Sequence, residues 1–286
     1  MPEFVTVVIR DSLAKALASS AGKLIEEEAL SAYVAKRRWF DPKDQTIQST
    51  RISHLVDIGS HAQEILLAEI EVKMAEATTL CLLPLAPIWE DEPSVSLPHL
   101  LALARVRRGA RVGLLTDAFV LPAFAQRVVS AMVSAQEFTC ADGVLRFRPT
   151  QIGLERLQTV PDAEIRWLAA EQANSSLTFG DKAMLKVFRR ISGGEHPEAE
   201  MAGHLTAQGF THAPQLLGDV VRVASDGVPF TLAIAFGFVR NEGDGWSWIL
   251  DHLTRALDAH SAATPSEYPE ADLLSDCEAV VTSASC

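Results

Sequence analysis

The chain has 286 residues, 48% hydrophobic and 22% charged, an ordinary globular composition that excludes wholesale disorder and leaves room for two domains. Its 25 Lys and Arg stand against 37 Asp and Glu, a formal net charge of −12. That balance argues against a non-specific binder of nucleic acid or of an anionic membrane, because both need a positive surface field.

The four cysteines, Cys81, Cys140, Cys277 and Cys286, form no Cys-x-x-Cys pair and give neither a disulfide framework nor a zinc site. An acid, Glu3, precedes the short apolar run that ends at Ile9, unlike a secretory signal. No stretch approaches the roughly 20 apolar residues of a membrane span. A soluble cytoplasmic protein is expected.

In chain order, a short strand opens the sequence and helix follows. Leu13, Leu17, Leu24, Ile25, Ala29, Leu30, Tyr33 and Val34 recur at helical spacing, and Ser19-Ser20-Ala21-Gly22 splits them into two helices. Asp41-Pro42 is a turn signal that ends the second. Strands are expected from Thr46 to about Val120: one near Thr46 to Ile52, one from Glu64 to Val72, and an apolar run from Thr78 to Leu85 closed by Pro84 and Pro87. Arg105 to Leu115 reads as a hairpin around Gly109. Pro122 to Gln136 turns helical, with Phe124, Val128, Met132 and Val133 on one face.

A second unit begins near Ala141-Asp142-Gly143, which leads into a strand from Val144 to Arg148. Ser175 to Phe179 and Ala183 to Arg190 form a hairpin joined by Gly180-Asp181-Lys182. A helix spans Pro197 to Gln208, with Pro in its first turn and Gly209 just past its end. Leu232 to Val239 is a buried strand by its nearly continuous apolar character. Trp246, Ile249, Leu250, Leu253, Ala256 and Leu257 then make one face of an amphipathic helix. No element is expected after Ala259.

Lys186 shares a strand face with Met184 and Phe188, because side chains alternate along a strand. A long cation between two apolar neighbours either snorkels to water or meets an anion, and Glu200 in the following helix is a candidate partner. In protein kinases a strand lysine held by a helix glutamate orients the nucleotide phosphates. On spacing alone, a solvated lysine and a solvated glutamate are the simpler reading. His196, His204 and His212 fall at or beside that helix without cysteines or clustered acids, and read as surface or capping residues. The chain contains no Gly-x-x-x-x-Gly-Lys-Ser/Thr, Gly-x-Ser-x-Gly or His-Glu-x-x-His motif.

Five runs occur in one fixed order: Arg38-Trp39-Phe40, Glu171-Gln172-Ala173-Asn174-Ser175-Ser176, Leu185-Lys186-Val187-Phe188-Arg189-Arg190, His196-Pro197-Glu198-Ala199-Glu200 and Gly243-Asp244-Gly245-Trp246. Together they resemble the maltokinase family, including the kinase fused behind trehalose synthase. The resemblance implies an aminoglycoside-phosphotransferase-like kinase that moves the ATP γ-phosphate to maltose, giving maltose 1-phosphate for α-glucan synthesis. It implies an α+β architecture: a β-rich N-terminal cap domain over residues 1–141, a protein-kinase-like N-lobe over 142–245, and a linker helix with an irregular tail over 246–286.

Carried over residue by residue, Lys186 contacts the ATP phosphates and Glu200 pairs with it. Asn174, Ser175 and Ser176 belong to a phosphate-side loop, and Phe238 and Val239 lead into the hinge that meets adenine. Gly243-Asp244-Gly245 either caps the Trp246 helix or touches ligand, and Arg38-Trp39-Phe40 is packing within the cap. ATP and Mg²⁺ are the implied cofactors. The catalytic and Mg²⁺-binding motifs of the family, a His-Gly-Asp-x-His-type loop and a later Ile-Asp-Phe-type segment, do not occur in this sequence. Glu267, Glu270, Asp272, Asp276 and Glu278 sit in no such context. The expectation is a cap and N-lobe with the C-lobe absent, inactive alone. The alternative is a non-catalytic module that docks trehalose synthase or a separate C-lobe.

Overall fold

Strands covered on both faces show unbroken apolar runs, while strands covered on one face alternate, and this chain contains both kinds. The computed structural model describes residues 4–40, 45–60, 63–91, 101–160, 163–168, 174–240, 243 and 245–262. It is a mixed α+β structure with two sheets, and the chain divides after Phe238 into two units.

The first sheet is built from β1 (Thr6–Val8), β2 (Ile47–Asp57), β3 (Leu66–Met74), β4 (Thr78–Trp89), β5 (Ala102–Arg108) and β6 (Arg111–Asp117), in the order β1-β5-β6-β4-β3-β2. Only β1 on β5 is parallel among the pairings of that order. One face is covered by α1 (Leu13–Leu17), α2 (Ser20–Ile25), a π-helical segment (Glu26–Leu30) and α3 (Ser31–Ala35), whose Leu13, Leu17, Ile25 and Val34 join Leu66, Ile70 and Leu83 in one core. The helix break expected at Ser19 is there: the Ser19 side chain accepts from the Ala21 N–H and caps α2.

The opposite face of β4 lies against a second core, so β4 is apolar throughout its buried length. It also runs through both prolines, to Trp89, instead of closing at Leu85. The reason is a change of partner. Leu82 N–H donates to the Arg189 carbonyl, so position 84 faces the same side, between the pairing of Cys81 with Arg190 and the β6 pairing that starts at Leu85. Position 87 faces the other side, past the last β3 pair at Leu85. Neither proline faces a partner that needs its missing N–H.

The second sheet contains β7 (Glu137–Cys140), β8 (Gly143–Pro149), β9 (Ile165–Leu168), β10 (Asn174–Phe179), β11 (Ala183–Phe188), β13 (Leu216–Val223) and β14 (Pro229–Gly237), all antiparallel, in the order β7-β8-β13-β14-β11-β10-β9. Helix α4 (Pro122–Val133) contributes Phe124, Val128 and Met132 to the core between the sheets, together with Leu67 and Ile88 of the first sheet and Leu185 and Val187 of the second. Helix α5 (Gln151–Leu157) approaches β13 so closely that a Cβ on Gly153 would lie 1.7 Å from the Leu217 carbonyl oxygen. The strand expected through Arg190 ends at Phe188. Arg190 and Ile191 form β12, which crosses to β4 of the first sheet. Helix α6 (Pro197–Ala207) follows, and the second unit holds α7 (Gly245–Ala262). Among the described residues no helix is long and apolar enough to cross a membrane.

Two buried arginine–carboxylate pairs join the sheets. Arg222 of β13 makes two hydrogen bonds to Glu69 of β3, one of 2.9 Å, and lies over the Phe230 ring at 4.2 Å. Arg189 donates to Asp117 at the end of β6 at 2.8 Å. Truncating one partner of such a pair leaves the other charge buried and uncompensated, which costs about 3–5 kcal/mol. Glu69→Ala is therefore expected to lower unfolding stability by about that amount in urea titrations, and Glu69→Leu with Arg222→Met to recover most of the loss. An E69A loss below about 1 kcal/mol would show that water reaches this pair.

Candidate functional site

The β10–β11 hairpin sets the site. Its turn uses Gly180 at φ +52°, a conformation glycine adopts without strain, and its register places Ser176 opposite Lys186. Leu185 and Val187 point into the core between the sheets, which turns Lys186 to the other face. Residues directly opposite one another share a face, so one row across five strands reads Arg148, Asp219, Ile234, Lys186, Ser176. This row carries two ion pairs. Arg148 makes a bidentate pair with Asp219 at 2.8 and 2.6 Å, and Lys186 Nζ lies 3.1 Å from Glu198 Oε1.

The Lys186 partner is thus Glu198 and not Glu200. At 3.6 residues per turn, two positions along a helix are about 200° apart, so the two acids face opposite ways. Ala199 is buried, Glu198 lies at the edge of that buried face, and Glu200 is exposed to solvent. Both acids sit in the first turn of α6, where the helix dipole favours negative charge. The Lys186 side chain is 16% exposed and Glu198 37%, so the pair serves orientation more than stability.

His196 caps the same turn: the Glu198 N–H donates to its Nδ1 at 3.3 Å, and its ring stacks on Phe188 with centroids 3.9 Å apart. Burial, the largest influence, and Lys186 hold the His196 pKa below its ordinary 6.5, against the upward pull of Glu198.

Asn174, Ser175 and Ser176 lie on β10 itself, and Glu171, Gln172 and Ala173 fall outside the described residues. Alternation divides the three. Ser175 turns away from Lys186, and its hydroxyl accepts from Arg189 Nε at 2.7 Å. Asn174 and Ser176 share the Lys186 face, and the Ser176 hydroxyl is buried with no hydrogen-bond partner. Phe238 follows the end of β14 and its N–H donates to the Lys182 carbonyl, four residues beyond the Ile234 that neighbours Lys186. That places it roughly 13 Å further along the strand. Val239 belongs to the second unit and is exposed. Gly243 has φ +138°, while Asp244 and the five acids after residue 262 lie outside the described residues.

The sequence reading missed Glu198 as the partner, Asp219 and Arg148. An acid inside the apolar run Leu216–Val223 was the available signal for Asp219, since a buried carboxylate needs a cation. Two surface depressions lie elsewhere, one of about 740 Å³ beside Arg10, Lys15 and Ser19 and one of about 400 Å³ beside Lys23, Arg51 and His54.

No family model matches the chain. The fold is similar to solved structures of glucosamine kinase. One, in complex with glucosamine, ADP and inorganic phosphate, shows 20% identity and a TM-score of 0.47, covering 80% of this chain and 43% of that one. Crystal form B of glucosamine kinase gives 19%, 0.45, 80% and 43%, and crystal form A 20%, 0.43, 80% and 46%. The chain therefore spans less than half the length of these structures.

The Lys186–Glu198 assignment has a direct check in the rate at which an amine-directed acylating reagent modifies Lys186, read by mass spectrometry. Glu198→Gln should speed labelling about two- to five-fold, the range a partly exposed ion pair supports. Glu200→Gln should leave the rate at the wild-type value. Equal acceleration in both variants would contradict the assignment.

Proposed function

We propose that this chain is the nucleotide-binding N-terminal part of an ATP-dependent sugar kinase of maltokinase type, with a cap over residues 1–141 and an N-lobe over 142–245, in a cytoplasmic setting. The observation that carries the reading is the Lys186–Glu198 pair. Lys186 lies on the third of three successive antiparallel strands, β9, β10 and β11, and is held by a carboxylate on the helix that follows. Protein kinases use this arrangement to present a lysine to the nucleotide phosphates beneath the loop that joins the first two strands. Here the residues flanking that loop, Leu168 and Asn174, lie level with Lys186 and Phe188 across the sheet.

The residues present fit the phosphate end of a nucleotide in part. Lys186 supplies the cation, Glu198 fixes its direction, and the unpartnered Ser176 hydroxyl lies directly across the strand pair from Lys186. Among the described residues no three His, Cys, Asp or Glu side chains converge as a metal site, and these residues do not by themselves fit Mg²⁺. In the full reaction the sugar hydroxyl oxygen forms a bond to the γ-phosphorus as the bond to ADP breaks, and an aspartate accepts the hydroxyl proton. The motifs quoted above favour the anomeric hydroxyl of maltose as that acceptor. The corresponding aspartate motif is missing from the 286 residues, so the chain alone is expected to bind nucleotide without transferring phosphate.

A second reading, a module that docks trehalose synthase or a separate C-lobe, is favoured by α7, on which Trp246 is 71% and Leu257 69% exposed.

Calorimetry with Mg-ATP and ADP-release assays with maltose or glucosamine test the first reading. The expected result is weak nucleotide binding, reduced at least about tenfold by Lys186→Met through loss of a charged hydrogen bond, and no sugar-dependent ADP release. Equal affinity of wild type and K186M would overturn it.

A further inference from the structure

We propose that His196 is a positioning residue for the Lys186–Glu198 pair, acting through its cap on α6 and its stack on Phe188, and that only its neutral ring performs this task. The proposal rests on the nucleotide reading for its affinity readout, but its geometry stands independently.

The Phe188 ring is shared. One contact is the His196 stack, and Lys186 Nζ stands 6.0 Å from the same ring's centroid. His196 therefore fixes the start of α6 against the strand that carries Lys186. Through Nδ1 it holds the backbone N–H of Glu198, the residue whose carboxylate meets the lysine. Helix caps are ordinarily Ser, Thr, Asp or Asn, whose oxygens accept at any neutral pH. A histidine accepts only while the capping nitrogen carries no proton. Protonation would thus remove the cap and place a second cation beside Lys186.

The charged groups that act on the ring are Lys186 on β11 and Glu198 on α6; Glu195, its neighbour in the chain, acts on Arg148. Burial holds the folded pKa below 6.5, so the unfolded chain binds this proton more tightly. The cap's contribution is then complete above 6.5 and is lost as pH falls through the depressed folded value.

The test compares the full chain with His196→Asn, which supplies an acceptor that does not titrate. Mg-ATP affinity is measured from pH 8 to 5.5, and the ratio of the two proteins cancels the titration of ATP itself. In parallel, nuclear magnetic resonance follows the His196 ring and the Glu198 amide of the wild type. The expected result is a wild-type affinity that falls about two- to five-fold more than that of H196N, the effect of losing one cap. The Glu198 amide resonance should move with the same midpoint as the His196 ring. Coincident affinity profiles, or an amide that ignores the ring, would overturn the proposal. Should neither protein bind Mg-ATP, the nucleotide reading fails, and the amide titration alone decides whether His196 positions Glu198.

Discussion

Of the two buried guanidiniums that tie the sheets together, Arg189 is the one that lies on the segment carrying the site. It lies between the last residue of β11 and the first of β12, at the point where the chain leaves one sheet for the other. A charge so placed must be met from every side, because an unpaired buried ion is costly. Asp117 meets it from the end of β6, Ser175 from β10, and the rings of Trp39 and Phe119 lie 5.5 and 5.1 Å from its central carbon. The Arg189 carbonyl is also in use, accepting from Leu82. Asp117 and Phe119 belong to one turn, but Trp39, Leu82 and Ser175 come from three other stretches, so Arg189 is satisfied only when strands of both sheets and the segment after α3 have come together.

This constraint reaches the site through three residues of strand. Lys186 and Arg189 lie on opposite faces of the same segment, and fixing Arg189 fixes the direction in which Lys186 leaves the sheet. It also explains why two separate sequence runs behave as one. Trp39 and Phe40 pack edge to face, and Arg189 and Arg190 lie over their respective rings at 5.5 and 5.6 Å. Within the Arg38-Trp39-Phe40 run, Trp39 and Phe40 are buried and Arg38 is exposed, and the two rings receive the arginines that follow the Lys186 strand. Beyond it, Ser175 is drawn away from the Lys186 face because its hydroxyl serves Arg189.

Elements whose own residues determine them were legible in the sequence. Gly109 and Gly180, both at positive φ, marked real hairpins, and Pro122 and Pro197 marked real helix starts. Elements determined by distant partners were not. The β13 strand carries Gly218, Asp219 and Arg222, which interrupt its apolar pattern, and no element was expected there; Arg148 and Glu69 meet the two charges. The four residues of β9 lie on a sheet edge and are largely exposed, so they show little periodicity. In the site, Lys186 stood out as a lone cation on an apolar strand. The choice between Glu198 and Glu200 depended on how α6 is rotated, and the sequence of α6 does not specify that rotation.

The reason is that α6 buries little. Of its eleven residues only Ala199 is buried, and Met201 is 62% exposed. A helix with so small an apolar anchor belongs to the less stable part of a fold, and its orientation is decided by polar contacts at its ends. At the C-terminal end Thr206 accepts the Leu216 N–H at 2.8 Å. The N-terminal end has the His196 cap and the Lys186–Glu198 pair. The strand beneath is fixed by Leu185, Val187 and Arg189, all buried. Of the two partners in the ion pair, then, the lysine is held by the core and the glutamate by polar and aromatic contacts at the start of a helix. Changes in charge near the pair act first on the helix, and so on whether the lysine is oriented by its carboxylate or released from it.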